Sequence, residues 1–561
     1  MKTTFKYDHY YKYDEIKNNL EYFNQTYPNL CELSVNTETI EKRNQYLLTI
    51  TNKSTGSALD KPALYVDGNI HAGEVTSSMA SMHMIDYLLT NYESEEEIKD
   101  LLDTTTIYVI PRVSPDGAEA YLTTPFTYRS INQIHKPEEG GIDEVDLDGD
   151  GVIRMMRIPS AYGAWKVDPK DDSTMVLRGP SDTKGEFYDI YPEGELEEYD
   201  GLENLKSKKM NYDMDFNRNF PYYWFNEARQ VGAGDYPLSA IETKAIVDFA
   251  LSHPNICGAC LGHTSGGIIL YPPGVKETKE ISYNDVKRLK ALANMGKEEL
   301  DYEPINIFEN FISDKSAPDS GALDDWFFGD QGVPAFTVEY WDISKKAGVP
   351  IEWEKYSKED ITKKLERFNA CMKWVKENAK EYYKDWEEYE HPTFGKVEIG
   401  GFNYKFTHQN PPENLLLNEC EGGTRFYLRF AKALPHIIID ETVITKLDEG
   451  LYEVNITIGN PSYLPTNLTD EAFKAKVNKP IIVKCDGGEL LSGKREEKIE
   501  SLDGYSETDT GVYYYGNLST EENAKARKKL TYIVKANEGD KFKVYVEHPK
   551  AGKAYKELTF E

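Results

Sequence analysis

The sequence predicts an α/β protein with a mixed, largely parallel central sheet flanked by helices, followed by a C-terminal all-β sandwich region. Over the first two thirds of the chain, short apolar runs alternate with segments of helical periodicity, which is typical of βαβ units. After His391-Pro392, apolar residues alternate at period two between turn residues, which is typical of antiparallel sandwiches. The length of 561 residues also favours more than one domain, because single cores stop growing at about 250–300 residues.

Each element of the first region has its own periodicity signal. The predicted elements are a helix at 13–27, strands at 47–51 and 62–67, a helix at 75–92, a strand at 106–111, a helix at 241–252, a strand at 256–261, a helix at 281–300, a strand at 335–339 and a helix at 359–381. Sites in such folds form beyond the carboxyl ends of the strands, so the loop at 68–74 is a candidate position for functional residues.

Two changes of pattern predict the domain organisation. An acidic stretch rich in Gly, Pro and Tyr, at about 137–209, interrupts the α/β alternation and predicts an insertion. The period-two segments predict strands at 396–400, 451–459, 479–484 and 541–547. We therefore expect a first domain over 1–390, which contains the insertion, and one or two β-sandwich modules of unknown role over 391–561.

Composition excludes several classes of protein. The chain has 65 Lys and Arg against 96 Asp and Glu, a net charge of −31, so a nucleic-acid backbone would be repelled and no nucleic-acid partner is expected. No apolar run is long enough to span a membrane, and the N-terminus lacks the apolar core of a signal peptide. Six scattered cysteines favour reduced thiols and a cytoplasmic location, with secretion left open if a signal peptide was removed. The oligomeric state is not indicated.

A first group of residues could bind a metal ion. His71 and Glu74 are three residues apart in the loop after a predicted strand, and an imidazole with a carboxylate suits zinc when a third ligand comes from elsewhere. The motif alone is weak, because a loop histidine bonded to a nearby acid has the same pattern. His263 ends another predicted strand and is followed by Thr264-Ser-Gly-Gly and then by a strand ending in Tyr271-Pro272.

Together these segments resemble the zinc carboxypeptidases of the carboxypeptidase A/B type. Further segments fall in the order of that family, namely Ser114-Pro-Asp-Gly117, Asp215-Phe-Asn-Arg-Asn-Phe220, Pro237-Leu-Ser-Ala-Ile-Glu-Thr243 and Phe336-Thr-Val-Glu339. The joint resemblance covers about residues 10–385 and is far more specific than any single motif. It implies the zinc carboxypeptidase fold, Zn2+ as cofactor, and His71, Glu74 and His263 as its ligands.

The resemblance also implies the groups that act on the substrate. Glu339 matches the family's general base, which takes the proton of a zinc-bound water and hands it to the leaving amine. Arg129, twelve residues after Gly117, matches the arginine that polarises the scissile carbonyl and stabilises its oxyanion, with Arg112 and Arg154 as alternatives.

Three further residues are implied as binding or supporting groups. Asn217 and Arg218 match the pair that grips the terminal carboxylate of a peptide, because a guanidinium fork fits two oxygens in a plane. Asp215 matches the acid that accepts the second ring N–H of the first zinc histidine, here His71. The alternative is that all three are solvated polar side chains on the surface without a role in binding.

The sequence departs from the family near the substrate side-chain pocket. The tyrosine that usually caps the bound substrate has no counterpart within Phe311–Trp326, so a different residue must close the site or it stays open. Asp324, beside the matching Asp325-Trp326, lies where the family sets preference for the C-terminal side chain. An acid there predicts a preference for Lys, Arg or another cationic group such as the amino group of diaminopimelate.

The insertion contains a second candidate metal site. Asp146, Asp148 and Asp150, followed by glycine, have the spacing of a calcium loop. The twelfth position is Arg157 instead of a bidentate glutamate, which excludes a complete EF-hand. A looser Ca2+ site completed by a neighbouring acid or a backbone carbonyl is one hypothesis, and an acidic solvated turn is the other.

These observations favour a zinc-dependent metallocarboxypeptidase, a protease that hydrolyses the C-terminal peptide bond of a peptide with a free carboxylate. Two related activities remain as alternatives: a zinc amidohydrolase that deacylates N-acyl amino acids, and a peptidase of cell-wall stem peptides. A third hypothesis, a non-catalytic binding protein, is disfavoured because the three ligands and the base are all present.

Overall fold

The computed structural model describes residues 1–134, 141–196, 205–208, 213–312, 314–356, 358–512 and 516–561. Its centre is an eight-stranded mixed sheet. In spatial order the strands are Cys31–Glu38, Asn44–Ile50, Thr106–Ile110, Ala63–Gly68, Ile256–Thr264, Ala335–Tyr340, Ile268–Tyr271 and Glu303–Asn306. Four of the neighbouring pairs are parallel, including all the pairings among the middle strands from Thr106–Ile110 to Ala335–Tyr340. The predicted fold class is confirmed.

Helices cover both faces of this sheet. The longer ones are Tyr13–Thr26, Val75–Asn91, Glu96–Thr104, Pro115–Thr123, Ile241–Ser252, Tyr283–Leu300, Leu323–Gly329, Ile361–Asn378 and Glu413–Lys432. Every residue of the strands Ala63–Gly68, Ile256–Thr264 and Ala335–Tyr340 is buried. Strands covered on both faces read as continuous apolar runs, which is why their positions are predictable from sequence.

The insertion forms strands that join a second sheet. In spatial order this antiparallel sheet consists of Tyr383–His391, Gly395–Phe402, Met155–Pro159, Tyr188–Pro192, Trp165–Asp168 and Asp171–Leu177. The insertion strand Met155–Pro159 therefore pairs with Gly395–Phe402, a contact that no local pattern indicates. Residues 137–140, 197–204 and 209 of the predicted insertion lie outside the described residues.

The helix Glu413–Lys432 was not among the predicted elements. Its residues Leu416, Phe426 and Phe430 belong to the core of the central sheet, and the ring of Phe430 lies against Gly258, where an added Cβ would stand 2.6 Å from the ring. The division of the chain at residue 391 stays a prediction. The contacts of this helix lead us to propose that the boundary lies near residue 435 instead.

Beyond this helix two antiparallel sheets face each other around a separate core. One sheet contains Ile438–Asp448, Leu451–Gly459, Arg527–Lys535 and Glu489–Ser492, and the other contains Glu496–Ile499, Ile481–Asp486, Lys541–His548 and Gly552–Thr559. Alternate residues of Leu451–Gly459 and Lys541–His548 are buried between the sheets, as period-two strands require. The predicted all-β C-terminal region is confirmed.

All six cysteines are buried and unpaired. Cys257 and Cys260 lie on a central strand, and burial raises the pKa of the Cys257 thiol to about 11, so the pair has the surroundings of inert core thiols. In the described parts of the chain, no helix has the length and apolar character needed to cross a bilayer. The cytoplasmic location stays a prediction.

Candidate active site

Two histidines and a glutamate converge at the carboxyl end of the central strands. His71 and Glu74 lie in the loop after Ala63–Gly68, and His263 lies near the end of Ile256–Thr264. His71 Nδ1 is 2.8 Å from Glu74 Oε1, and His263 Nδ1 is 3.0 Å from Glu74 Oε2. One donor atom from each residue lies within 4.8 Å of the others. The structure therefore brings together the three residues that the sequence suggested as zinc ligands.

The geometry of these groups fits a metal ion. Glu74 Oε2 is buried and, among the residues that the structure describes, has no hydrogen-bond donor in good alignment, although His263 Nδ1 is only 3.0 Å away. Because no hydrogen bond joins Glu74 Oε2 and His263 Nδ1, both atoms can face one metal ion. Two imidazoles and one carboxylate form a typical catalytic zinc set that leaves one position open.

The loop that carries the first two ligands is held by close backbone packing. A Cβ on Gly68 would lie 2.6 Å from the carbonyl oxygen of Ser77, so no other residue fits there. Asn69 has a positive φ of 62° and donates its side-chain amide to the carbonyl of His71. The backbone N–H of Ala72 donates to the carbonyl of Arg129, which joins this loop to the next one.

Asp215 and Arg129 surround the first histidine. Asp215 Oδ1 is 3.0 Å from His71 Nε2, and Arg129 Nε donates to Asp215 Oδ2 at 2.8 Å. Burial acts to raise the pKa of Asp215, but the charges of Arg129 and His71 outweigh it and hold that pKa well below its usual value. An ionised carboxylate on the outer ring nitrogen leaves Nδ1 of His71 to face the ion.

The structure separates the three candidate arginines. Arg112 is buried elsewhere and donates to the carbonyl of Tyr11. Arg154 donates to Asp150 and to a carbonyl of the second sheet. Of the three, Arg129 alone lines the cleft at the histidines, and its side chain is 43% exposed there.

Glu339 lies beside His263, because the two residues are in register on parallel strands. It is 9% exposed. Burial raises the pKa of Glu339 to about 8, Glu74 adds to the shift, and His263 and Arg129 oppose it. A divalent cation at the three ligands would favour the ionised form of this carboxyl group.

A cleft of about 200 Å³ collects the predicted site residues. Those that line it are His71, Glu74, Arg129, Asn217, Arg218, His263, Asp324 and Glu339. Asp215, the remaining residue predicted for the zinc site, contacts His71 Nε2. In the part of the chain that the structure describes, no tyrosine lines this cleft.

Asn217 and Arg218 lie at one end of the cleft, on a short turn after Asp215. Asn217 Oδ1 accepts a hydrogen bond from the backbone N–H of Leu323. Arg218 Nη2 pairs at 2.9 Å with Asp319, a residue that the sequence analysis did not identify. A ligand carboxylate at Arg218 would therefore have to share the guanidinium with Asp319 or displace it.

Asp324 and Asp325 are both buried and both line the cleft. Thr337 donates its hydroxyl to Asp324 Oδ2, and the backbone N–H of Gly274 donates to Asp325 Oδ1. Burial raises the pKa of Asp325 to about 7, and the charge of Asp324 adds to the shift. The sequence analysis matched Asp325 to the family pattern without giving it a role. The pocket therefore contains one more carboxyl group than the sequence analysis assigned to it.

The acidic loop of the insertion has a different donor set from the predicted one. Carboxylates of Asp146 and Asp148 lie within 4.8 Å of Glu193, a buried residue that the spacing did not indicate. Asp150 instead pairs with Arg154. Lys384 Nζ lies 2.7 Å from Asp148 Oδ2 and already neutralises part of the loop.

Comparison with known proteins supports the resemblance seen in the motifs. The family model described as "Zinc carboxypeptidase" matches residues 16–169 and 178–365. A second model, "Domain of unknown function (DUF8731)", matches residues 436–559, which correspond to the β-sandwich region.

Several carboxypeptidases are similar in sequence. Carboxypeptidase A4 of Mus musculus is 23% identical over 349 residues, which cover 60% of this chain and 64% of that protein. Carboxypeptidase D of Mus musculus is 28% identical over 111 residues, which cover 20% of this chain and only 8% of that protein.

Two solved structures are similar to part of this chain. The crystal structure of thrombin activatable fibrinolysis inhibitor is 19% identical with a TM-score of 0.40, and the match covers 66% of this chain and 76% of that one. Carboxypeptidase A from Helicoverpa armigera is 16% identical with a TM-score of 0.40 and coverages of 67% and 76%. Since the zinc carboxypeptidase model matches more than half of the chain, the protein belongs to the zinc carboxypeptidase family of metalloproteases.

Proposed function

We propose that the protein is a metallocarboxypeptidase that removes the C-terminal residue of peptides with a free carboxylate, with Zn2+ held by His71, Glu74 and His263. The observation that carries this proposal is the convergence of those three residues with Glu339 and Arg129 in one cleft. An acid near the ligands and a cation exposed to the cleft are the groups that amide hydrolysis needs.

The roles of the side chains follow from their positions. Bound zinc supplies a Lewis acid that polarises a carbonyl and makes water more acidic. Glu339 accepts the proton of the attacking water and delivers it to the leaving amine. Arg129, oriented by Asp215, donates to the oxygen that becomes negative as water adds to the carbonyl.

Asn217 and Arg218 support exopeptidase action. Arg218 offers a planar pair of donors to a carboxylate, and Asn217 is fixed beside it by the backbone of Leu323. A chain anchored there by its terminal carboxylate presents its last peptide bond to Glu339 and Arg129. Internal peptide bonds have no carboxylate at this position and would bind less well.

The experiment that tests this function is a mass-spectrometric screen of paired substrates. Peptides with free C-termini, the same peptides with amidated C-termini, cell-wall stem peptides and N-acyl amino acids are incubated with the zinc-loaded protein. We expect loss of one C-terminal residue from the free peptides alone. Cleavage of N-acyl amino acids without cleavage of any peptide would favour the amidohydrolase. Cleavage of stem peptides alone would favour the cell-wall peptidase.

Asp324 is proposed to favour a cationic C-terminal side chain. We expect Asp324→Asn to lower kcat/KM for peptides ending in lysine about 10- to 100-fold relative to peptides ending in leucine, because a hydrogen bond to a charged group contributes about 1.5–3 kcal/mol. The matched control is Asp301→Asn, since the side chain of Asp301 is 84% exposed on the surface. An unchanged lysine-to-leucine ratio in the Asp324 variant would remove this residue from the specificity pocket.

Calcium binding by the insertion remains a proposal, now with Asp146, Asp148 and Glu193 as the clustered donors. The melting temperature is compared in excess Ca2+ and in a calcium chelator that leaves zinc bound. We expect calcium to raise it, because a ligand that binds the folded state stabilises that state. Equal melting temperatures in the two conditions would leave the loop as an acidic turn.

A further inference from the structure

A second and larger cleft of about 620 Å³, which we call the insertion groove, lies between the insertion and the catalytic core. Its volume is in the range of ordinary ligand sites. Apolar side chains make up much of its wall, among them Leu122, Val152, Ile153, Phe368, Phe402 and Phe406. Large exposed apolar surfaces on soluble proteins commonly mark sites where a ligand or partner binds.

The insertion groove and the zinc cleft are lined by neighbouring residues of one loop. Thr127 lines the groove, and Arg129, two residues later on the same loop, lines the zinc cleft. Tyr404 also lines the groove and is 44% exposed. Burial raises the pKa of the Tyr404 phenol, the charge of Glu74 adds to this shift, and the charge of Arg129 opposes it. Tyr404 therefore lies near enough to the catalytic groups to feel their charges.

The wall between the two clefts is firmly connected. Tyr121, from the groove, donates its hydroxyl to Gln409 at 2.9 Å. Gln409 packs on Gly73 so closely that an added Cβ there would stand 2.6 Å from its side-chain nitrogen. Asn410 donates its side-chain amide to the carbonyl of Gly73. The segment that forms the groove is thus fixed to the loop that carries His71 and Glu74.

The direction of a bound peptide follows from the positions of the anchoring groups. Arg218 and Asp324 lie where the terminal residue is expected, and Arg129 lies at the scissile bond. The part of the chain before the scissile bond must therefore leave the zinc cleft, and the loop 127–129 leads from Arg129 into the groove.

The charged residues that line the groove offer little to an acidic occupant. Arg154 already donates to Asp150 and to the carbonyl of Gly401. Lys405 is turned inwards and donates to the carbonyls of Tyr121 and Thr124, so it offers no free cation. Glu144 also lines the groove, and burial raises its pKa, so this position disfavours negative charge.

We propose that the insertion groove binds apolar side chains of the peptide substrate on the N-terminal side of the scissile bond. This inference rests on the proposed function and adds a substrate class: peptides of several residues with apolar residues upstream. Burial of those side chains against the groove contributes to binding in proportion to the apolar area removed from water.

The first test uses the unmodified protein and a peptide series. All peptides share their last two residues and differ in the preceding three, which are leucine and phenylalanine in one set and aspartate or glycine in the other. We expect kcat/KM to be about tenfold or more higher for the apolar set, since one buried leucine is worth a change of that size. Equal values across the sets would overturn the proposal.

The second test places a charge in the groove. Ile153→Asp should lower the ratio of kcat/KM between apolar and polar peptides towards one. Leu491→Asp, at an exposed position of the β-sandwich, is the matched control and should keep the ratio of the unmodified protein. If Ile153→Asp has the same kcat/KM ratio as the unmodified protein, the groove assignment is wrong. If this variant does not fold, the peptide series decides alone.

The two proposals fail in different ways. If the zinc-loaded protein releases no C-terminal residue from any peptide, the proposed function fails and the groove proposal falls with it. If peptides are cleaved at rates that do not depend on upstream residues, the function stands and the groove proposal is wrong. Binding of a small apolar amphiphile in the groove without competition against apolar peptides would likewise overturn it.

Discussion

Replacement of Glu339 by glutamine is expected to lower kcat by about 10²–10⁴-fold while zinc stays bound. Glutamine has nearly the same shape as glutamate but cannot accept the proton of the attacking water. Glu339 forms no part of the ligand cluster of His71, Glu74 and His263, so the ion should remain. Steady-state kinetics on a good peptide substrate, together with metal analysis of the same sample, measure both quantities.

The matched control is Glu303→Gln, because Glu303 is an exposed acid that pairs with Lys297 on the surface. Its kcat should equal that of the unmodified protein. A Glu339→Gln protein that retains full kcat would show that another group takes the proton. Loss of zinc together with activity would show that Glu339 is part of the metal site.

Replacement of either zinc histidine by alanine is expected to abolish stoichiometric zinc binding and to lower turnover by more than about 10³-fold. A catalytic zinc site has three protein ligands, and removing one leaves two donors around the ion. His71→Ala and His263→Ala are made separately because His71 lies in a loop and His263 lies on the strand Ile256–Thr264. Zinc per chain is measured by elemental analysis after dialysis. Turnover is measured with the same peptide substrate as for Glu339→Gln.

The control for these two variants is His9→Ala, a partly exposed histidine that contacts Asp8 and Glu15. It should bind one zinc per chain and turn over normally. Circular dichroism separates loss of the ion from loss of the fold. Full zinc content in both His71→Ala and His263→Ala proteins would place the ion elsewhere.

The elements of the fold differ in how far local patterns predict them. The strands Ala63–Gly68 and Ala335–Tyr340 were predictable because burial on both faces requires unbroken apolar runs. The sheet that joins Met155–Pro159 to Gly395–Phe402 was not, because pairing between segments far apart in sequence leaves no local periodicity. The helix Glu413–Lys432 did carry a signal, in the helical spacing of its buried face, which the period-two pattern of the flanking segments obscured.

The site shows the same division. His71, Glu74 and His263 could be chosen because zinc chemistry restricts the residue types and a family resemblance fixes their order. Asp319 could not be predicted as a site residue, because its contact with Arg218 depends on the path of a loop that has no motif of its own. The presence of Glu193 in the acidic cluster, in place of Asp150, could not be predicted either. The spacing of residues in one loop says nothing about a residue that approaches from another part of the chain.

The central claim is that two imidazoles and one carboxylate hold a single zinc ion in the cleft. X-ray absorption at the zinc edge, on protein purified with one zinc per chain, tests it most directly. We predict a first shell of nitrogen and oxygen atoms only, at about 2.0–2.2 Å, with the outer-shell signal of two imidazole rings. A sulfur shell at about 2.3 Å, or a spectrum without imidazole signals, would contradict it.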